Sequence, residues 1–159
     1  MRFEHLVEVN DPLQPLLTEV SRDQLWRGLV RRAERPTEFV LGLAGAVIDE
    51  RVEAPEALRL SRTLDFGSFQ VRDRVRLLAE GVSVTDIEAG ATHAAGRLTI
   101  RIEQPAAGRL FLRFIYESSE DDDAGELGAV TRQLREQAYR SADIDTVWRI
   151  RELVERGEL

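Results

Sequence analysis

The stretch that decides the fold is residues 127–155, which read LGAVTRQLREQAYRSADIDTVWRIRELVE. Its apolar residues form two stripes at the three-and-four spacing of a buried helix face. They are Val130, Leu134 and Ala138 in the first stripe, and Ile144, Val147, Trp148, Ile150 and Val154 in the second. At 100° per residue the centres of the stripes differ by roughly 140°, so a straight helix could not bury both on one surface. We therefore predict a break or kink at 141–143, with Asp143 capping the second segment.

The chain before this helix reads mainly as antiparallel sheet. Residues 3–9 alternate with the period of a half-buried strand and are followed by Asn10-Asp11-Pro12, which ends the strand. Six further segments have the length and spacing of successive hairpins. They are residues 46–53, 57–65, 68–78, 82–87, 97–103 and 109–117. We predict an antiparallel meander of about seven strands.

Two short helices are expected between the first and second strands. Ser21 and Gln24 have the spacing of a capping box, which predicts the start of the first helix. Its buried face is expected to consist of Leu25, Trp26, Leu29, Val30 and Ala33. Arg31, Arg32 and Arg35 lie in the last turn, where positive charge complements the helix dipole, and Pro36 ends the helix. The second helix is expected at roughly residues 37–42.

The hairpin of residues 57–78 suggests which polar residues face inward. A two-residue turn at Phe66-Gly67 would pair Asp65 with Ser68 and would bring the apolar residues of both strands to one face. Arg62 and Asp73 share that face and would be diagonal neighbours. The inward apolar residues are predicted to be Leu58, Leu60, Leu64, Phe69, Val71, Val75, Leu77, Leu98, Ile100, Ile102, Leu112 and Phe114.

Composition excludes several functions. The net charge of −7 opposes binding to nucleic acid or to anionic membranes, which both require concentrated positive charge. The longest apolar run, residues 39–48, is half the length of a membrane span, so no membrane insertion is expected. We expect a single cytoplasmic domain over residues 1–159. The chain has no Cys and no Lys, which excludes thiolate metal sites, cysteine nucleophiles and Schiff-base lysines.

No cofactor and no metal site are predicted. The acidic run at residues 117–123 lacks the alternate ligand spacing and central glycine of a calcium loop, and we interpret it as a solvated connector.

The order of elements resembles the helix-grip fold of START lipid-transfer domains, birch-pollen-type allergens and aromatic polyketide cyclases. More narrowly, three stretches are similar to a small family called AtaL-like. They are FEHLVEVNDP at residues 3–12, RDQLWRGL at residues 22–29, and AY at 138–139 followed by DIDTV at 143–147. The resemblance covers essentially the whole chain. It implies an α+β fold in which a curved sheet grips the C-terminal helix over an apolar cavity, and it brings no established catalytic residues.

Four polar residues have inward parity in such a fold: His5, Arg62, Asp73 and Tyr116. Because a buried charge is costly unless it is paired, Arg62 and Asp73 either pair with each other or meet a polar group of a ligand. Glu50 is a further residue expected near the cavity mouth. The ligand-binding residues are predicted to be Arg62, Asp73, Tyr116, His5, Phe69, Leu98, Ile100 and Phe114.

Three functions remain open from the sequence. The first is binding of an apolar or amphipathic small molecule, with Arg62 contacting an anionic head. The second is a cyclase or isomerase in which Asp73, His5 or Tyr116 moves protons on a bound carbonyl compound. The third is an interaction module without a ligand.

The outward faces of the strands suggest self-association. Leu6, Val47, Phe111 and Ile115 have outward parity and would cluster if their three strands were neighbours. Such a patch predicts a homodimer joined through the outer sheet face. The alternative is that the stems of Arg2 and Arg113 cover the patch and leave the protein monomeric.

Overall fold

The computed structural model describes residues 1–120 and 125–159. Its first strand, β1 (Arg2–Asn10), is followed by helix α1 (Arg22–Glu34) and a 3-10 turn (Pro36–Glu38). Six strands come next: β2 (Gly45–Glu53), β3 (Ala57–Asp65), β4 (Gln70–Leu78), β5 (Val82–Ile87), β6 (Gly96–Ala106) and β7 (Arg109–Ser118). The last element is helix α2 (Glu126–Glu155). The predicted second helix at 37–42 is therefore only a single 3-10 turn.

The seven strands form one curved antiparallel sheet in the order β1-β7-β6-β5-β4-β3-β2. The predicted α+β helix-grip architecture is thus confirmed, with the sheet holding α2 against its inner face. The capping box is also confirmed, because Ser21 Oγ accepts from the Gln24 amide while the Ser21 amide donates to the Gln24 side chain. Within the described ranges, no helix is long and apolar enough to cross a bilayer.

The main core joins both helices to one half of the sheet. Its buried residues come from β1, α1, β6, β7 and α2, with Phe114 and Leu112 among the most enclosed. Gly28 lets the helices approach closely, since a Cβ there would lie within 3.0 Å of three Ile150 side-chain atoms. A second cluster of Ala33, Leu60, Val75 and Leu77 packs the end of α1 against β3 and β4.

The β3–β4 register differs from the prediction by two residues. Asp65 pairs with Gln70 rather than with Ser68, because the turn comprises the four residues 66–69. A shift of two residues keeps every side chain on its predicted face, since strand side chains alternate with a period of two. The shift places Arg62 directly opposite Asp73 rather than diagonal to it.

The predicted break in the C-terminal helix is wrong. Helix α2 runs without interruption from Glu126 to Glu155, and Asp143 lies inside it as a buried residue rather than a cap. A break would be needed only if both apolar stripes were buried. Instead, Leu127, Val130 and Leu134 are exposed, so only the second half of the helix packs against the core.

The predicted dimer patch is not contiguous. Strand β2, which carries Val47, lies at the opposite edge of the sheet from β1. Ile115 is buried rather than exposed. Arg113 lies directly opposite Leu6, two residues from Phe111 on the same face, and pairs with Glu4 and Glu103. The geometry favours the alternative in which arginine stems cover the patch.

Candidate functional site

A polar cluster centred on Asp143 lies between α2 and the first edge of the sheet. Asp143 is 2% exposed, and its Oδ1 accepts a hydrogen bond from the Tyr116 hydroxyl at 2.5 Å. Its Oδ2 lies 3.3 Å from His5 Nδ1. His5 and Tyr116 meet at this point because β1 and β7 are adjacent, with Phe3 opposite Tyr116 and His5 opposite Phe114.

Burial dominates the protonation of this cluster. It raises the pKa of Asp143 to about 7, although the Tyr116 hydrogen bond and the positive charge of Arg32 oppose the shift. Burial and then the nearby Asp143 raise the pKa of Tyr116. Burial, followed by the charge of Arg140, lowers the pKa of His5. Near neutral pH the cluster therefore contains a neutral phenol, a neutral imidazole and a carboxyl group able either to give or to take a proton.

Aromatic rings form one wall beside the cluster. The rings of Tyr116 and Tyr139 stack with centroids 3.9 Å apart and planes inclined by 9°. The centroid of the Phe3 ring lies 6.2 Å from that of Tyr116 and 6.1 Å from that of Tyr139. The Arg140 guanidinium carbon lies 4.8 Å from the Phe3 centroid. The stack holds the first half of α2 against the sheet, although the outer face of that half is exposed.

Arg62 and Asp73 form a bidentate ion pair in the interior. Arg62 Nε donates to Asp73 Oδ1 at 2.8 Å and Nη2 donates to Oδ2 at 2.6 Å, while Nη1 donates to the Ala33 carbonyl at 2.8 Å. Their side chains are 5% and 2% exposed. All three guanidinium nitrogens of Arg62 are thus engaged, so the structure favours mutual pairing over the expected contact with an anionic ligand head.

A cavity of about 400 Å³ opens at the end of the sheet near this aromatic wall. It lies between the β3–β4 turn, the loop after β5 and the Tyr139 side of α2. Its apolar lining includes Leu64, Phe66, Phe69, Val71, Ile87 and Leu98, and its polar lining includes Asp73, Tyr116 and Tyr139. The cavity thus combines apolar walls with a few convergent polar groups, as small-molecule sites do.

Four of the predicted ligand-binding residues line this cavity: Phe69, Asp73, Leu98 and Tyr116. Ile100 and Phe114 do not line this cavity and belong to the packed core, where both are fully buried, so their contact with a ligand stays a prediction. His5 lies behind Tyr116 in the Asp143 cluster. Glu50 is exposed on the edge strand β2, away from the cavity mouth. The last three residues of the acidic run at 117–123 lie outside the described residues.

Sequence reasoning missed two residues of the site, Asp143 and Arg32. Asp143 was interpreted as a helix cap, although its position three and four residues before Thr146 and Val147 places it on the buried face. Arg32 is assigned from the sequence to the last turn of α1, as a charge that complements the helix dipole. It lies three and four residues after Leu29 and Gly28, which are both buried, so helical periodicity would have placed it on the inner face of α1.

Comparisons with known proteins agree with this architecture. A family model described as AtaL, acetylaranotin biosynthesis cluster protein L, matches residues 7–157. No curated protein matches the sequence significantly.

Several solved structures share the fold. The di-domain ARO/CYC StfQ from the steffimycin biosynthetic pathway superposes with a TM-score of 0.68 at 12% identity over 99% of this chain, which spans 52% of StfQ. The Zhui aromatase/cyclase from Streptomyces sp. R1128 gives a TM-score of 0.61 at 17% identity, covering 98% of this chain and 94% of that one. A START superfamily protein from Mycobacterium smegmatis gives a TM-score of 0.62 at 13% identity, covering 96% of this chain and 98% of that one. At these identities the likeness shows a shared fold.

Proposed function

The chain belongs to the AtaL family, and from that premise we propose that it binds an amphipathic small molecule in the cavity between the β3–β4 turn, the loop after β5 and α2. The observation that carries this proposal is the cavity itself, with its apolar walls and its polar groups Asp73 and Tyr116. Its volume of about 400 Å³ lies in the range of small-molecule sites. Two of the structural neighbours are named as aromatase/cyclases, which supports the choice of aromatic probes.

A neutral fluorescent naphthyl ketone, prodan, tests the proposal directly. We expect saturable binding with the blue-shifted emission of an apolar environment. Val71→Trp fills the cavity from β4 and should weaken binding by about ten-fold or more, since a filled pocket can no longer take up the apolar ring. Arg74→Trp is the matched control, because Arg74 lies on the outward face of the same strand and its side chain is 73% exposed.

Circular dichroism checks that both variants are folded. Ala94→Trp, in the loop at the cavity mouth, provides a second filling variant that does not disturb the core. Equal binding by wild type and both filling variants would contradict the proposed site. Absence of saturable binding would favour the third hypothesis, an interaction module without a ligand.

A second candidate function is proton transfer on a bound carbonyl compound, and the buried Asp143 favours it. A carboxyl group with a pKa of about 7 and a Tyr116 hydroxyl 2.5 Å away is suited to removing a proton next to a carbonyl. In this version Asp143 replaces Asp73 as the base, because Asp73 is held by Arg62.

Deuterium exchange tests this candidate. The methyl protons of 2-acetonaphthone should exchange with D₂O faster in the presence of the protein, since Asp143 takes a proton and returns a deuteron. Asp143→Asn should slow the exchange by about ten-fold or more, within the range that general bases contribute. Asp145→Asn, an exposed carboxylate on the same helix, should leave the rate unchanged. Equal rates in wild type and Asp143→Asn would reject the enzyme function.

A further inference from the structure

Arg32 is a cation inside the molecule without a partner among the described residues. Its Nε is shielded from solvent and makes no hydrogen bond, and no acidic side chain in residues 1–120 or 125–159 forms an ion pair with it. Burial lowers the pKa of its guanidinium. The side chain nevertheless keeps some accessible surface. The guanidinium is therefore desolvated but still borders some accessible space.

The surroundings of Arg32 place that space near the cavity of the proposed function. Four groups act on its charge: Tyr116, Arg62, Asp143 and Asp73. Two of them, Asp73 and Tyr116, also line the cavity. Arg32 is not among the residues that line this cavity, but its charge acts on two of the polar groups that do.

None of these four neighbours forms a hydrogen bond or an ion pair with Arg32 in the described part of the chain. Both Asp73 oxygens accept from Arg62, and the Tyr116 hydroxyl donates to Asp143. Burial raises the pKa of Asp143 to about 7, which reduces its negative charge near neutral pH. The positive charge of Arg32 is thus left largely uncompensated in the interior.

The other arginines near α1 show that this isolation is particular to Arg32. Arg31 forms ion pairs with Glu38 and Glu158, and Arg35 forms one with Glu38, with Nη1 and Oε1 3.7 Å apart. Arg151, whose pKa is also lowered by burial, donates to the Val9 carbonyl and lies against Trp148. Burying a cation without such a partner costs free energy, and sites that break a stabilising rule in this way are commonly functional.

We propose that Arg32 binds the carboxylate of the ligand, so that the cavity selects aromatic or other apolar acids over neutral molecules of the same shape. A guanidinium offers parallel N–H donors that match the two oxygens of a carboxylate. The inference rests on the proposed function, because the apolar part of the ligand occupies the cavity described there. It replaces the anionic-head role expected for Arg62 from the sequence.

A matched pair of probes tests the selection: 2-naphthoate and 2-acetonaphthone, which share a ring system and differ in charge. Each is titrated as a competitor of bound prodan. Wild type should bind 2-naphthoate about ten-fold or more tightly than the ketone, the effect of a charge-assisted hydrogen bond. Arg32→Met should remove this preference and leave ketone binding within about three-fold of wild type. Arg31→Met, which removes the neighbouring paired arginine, is the control and should retain the preference.

The outcomes separate the two proposals. Failure of prodan to bind would reject the proposed function itself. Binding of prodan with equal affinities for naphthoate and ketone in wild type, or with an unchanged preference in Arg32→Met, would overturn the role of Arg32 while leaving the cavity assignment intact.

Thermal unfolding without ligand gives a second, independent measurement. If the role of Arg32 is to bind a ligand, Arg32→Met should have a Tm equal to or above that of wild type, because the variant removes an uncompensated buried charge. Arg62→Met should lower the Tm, because it leaves Asp73 buried without its partner. A marked loss of Tm in Arg32→Met would show a structural role and contradict the proposal.

Discussion

At the scale of single residues, the chemistry of this protein depends on four ionisable groups in the interior, which differ in how their charge is compensated. Arg62 and Asp73 neutralise each other through two hydrogen bonds. Asp143 is stabilised by Tyr116 and His5 but remains sufficiently desolvated to hold a proton near neutral pH. Arg32 has no described partner. The pair contributes to a stable interior, whereas the other two groups can respond to a bound molecule.

A double-mutant cycle tests the buried pair. Arg62→Met or Asp73→Val alone should cost about 3–5 kcal/mol of the free energy of unfolding, because each leaves one charge buried without its partner. The double variant should cost much less than the sum of the two. Arg97→Met is the surface control and should cost less than about 1 kcal/mol, since its pair with Asp86 is solvated. Additive costs near zero in urea unfolding would contradict the prediction.

The protonation of Asp143 predicts a pH dependence of stability. Its folded pKa of about 7 lies above the value of about 4 expected in the unfolded chain. The resulting stabilisation is fully present below about pH 4 and is lost as the pH rises through about 7. Relative to Asp143→Asn, wild type should therefore become less stable by about 2–4 kcal/mol between pH 4 and pH 8.

Urea unfolding at fixed pH measures this difference. His5, Tyr116, Tyr139 and Arg32 are the titratable or charged groups that act on Asp143, and they are present in both proteins. His5 has a lowered pKa and destabilises the fold only as the pH falls below its unfolded value, so comparison with the variant largely cancels its effect. A relative stability that rises with pH would show that Asp143 is not protonated as described.

At the scale of elements, helix α2 has two halves with different roles. The second half packs against the core through Val147, Ile150 and Leu153. The first half presents apolar side chains to the outside while its inner side carries Tyr139 to the cavity wall. Helix continuity therefore does not depend on burying both stripes, and a single long element both anchors the fold and borders the candidate site.

Two leucines of α2 test this division. Leu153→Ala should cost about 2–5 kcal/mol of stability, because Leu153 is 0% exposed and its removal leaves a cavity. Leu134→Ala should change stability by less than about 0.5 kcal/mol, because Leu134 is 62% exposed. Chemical denaturation of the two variants gives the comparison directly. Similar costs for both would mean that the first half of α2 is packed in solution.

At the scale of the whole molecule, the open sheet separates an inner face with the candidate site from an outer face covered largely by charged side chains. Strands β1 and β2 are the two edges of the sheet. On the outer face, Arg113 bridges Glu4 and Glu103, and Arg109 lies 5.0 Å from the Phe111 ring. These arginines cover apolar surface with their stems, which reduces the tendency of this face to self-associate.

Sedimentation tests the outer face. Leu6→Ser and Phe111→Ser should each sediment with the same mass as wild type at tens of micromolar, because these residues do not form a contiguous patch with Val47 and Ile115. Prodan binding should also be retained, since both residues lie on the face opposite the cavity. If wild type were a dimer and either variant a monomer, the homodimer through the outer sheet face, as predicted from strand parity, would be supported instead.

The sequence by itself determined the order of the strands and the two long helices, the inward faces of β3, β4, β6 and β7, and the start of α1. These features follow from local rules: alternation with a period of two, helical spacing, and the reach of Ser21 to Gln24. The predicted hairpin faces remained correct despite the two-residue error in register, because such a shift preserves the alternation. The buried charges Arg62 and Asp73 could be identified for the same reason.

Only the tertiary structure decided which apolar stripe of α2 is covered, which residues line the cavity, and which interior charges have partners. His5 and Asp143 are 138 residues apart, and Arg62 reaches the Ala33 carbonyl across 29 residues. No local period encodes such contacts, because they arise from the packing of α1 and α2 against the sheet and from the pairing of the first strand, β1, with the last, β7. The charges near Arg32 likewise come from other elements: Asp73 on β4 is paired with Arg62 on β3, and Asp143 on α2 is bonded to Tyr116 on β7.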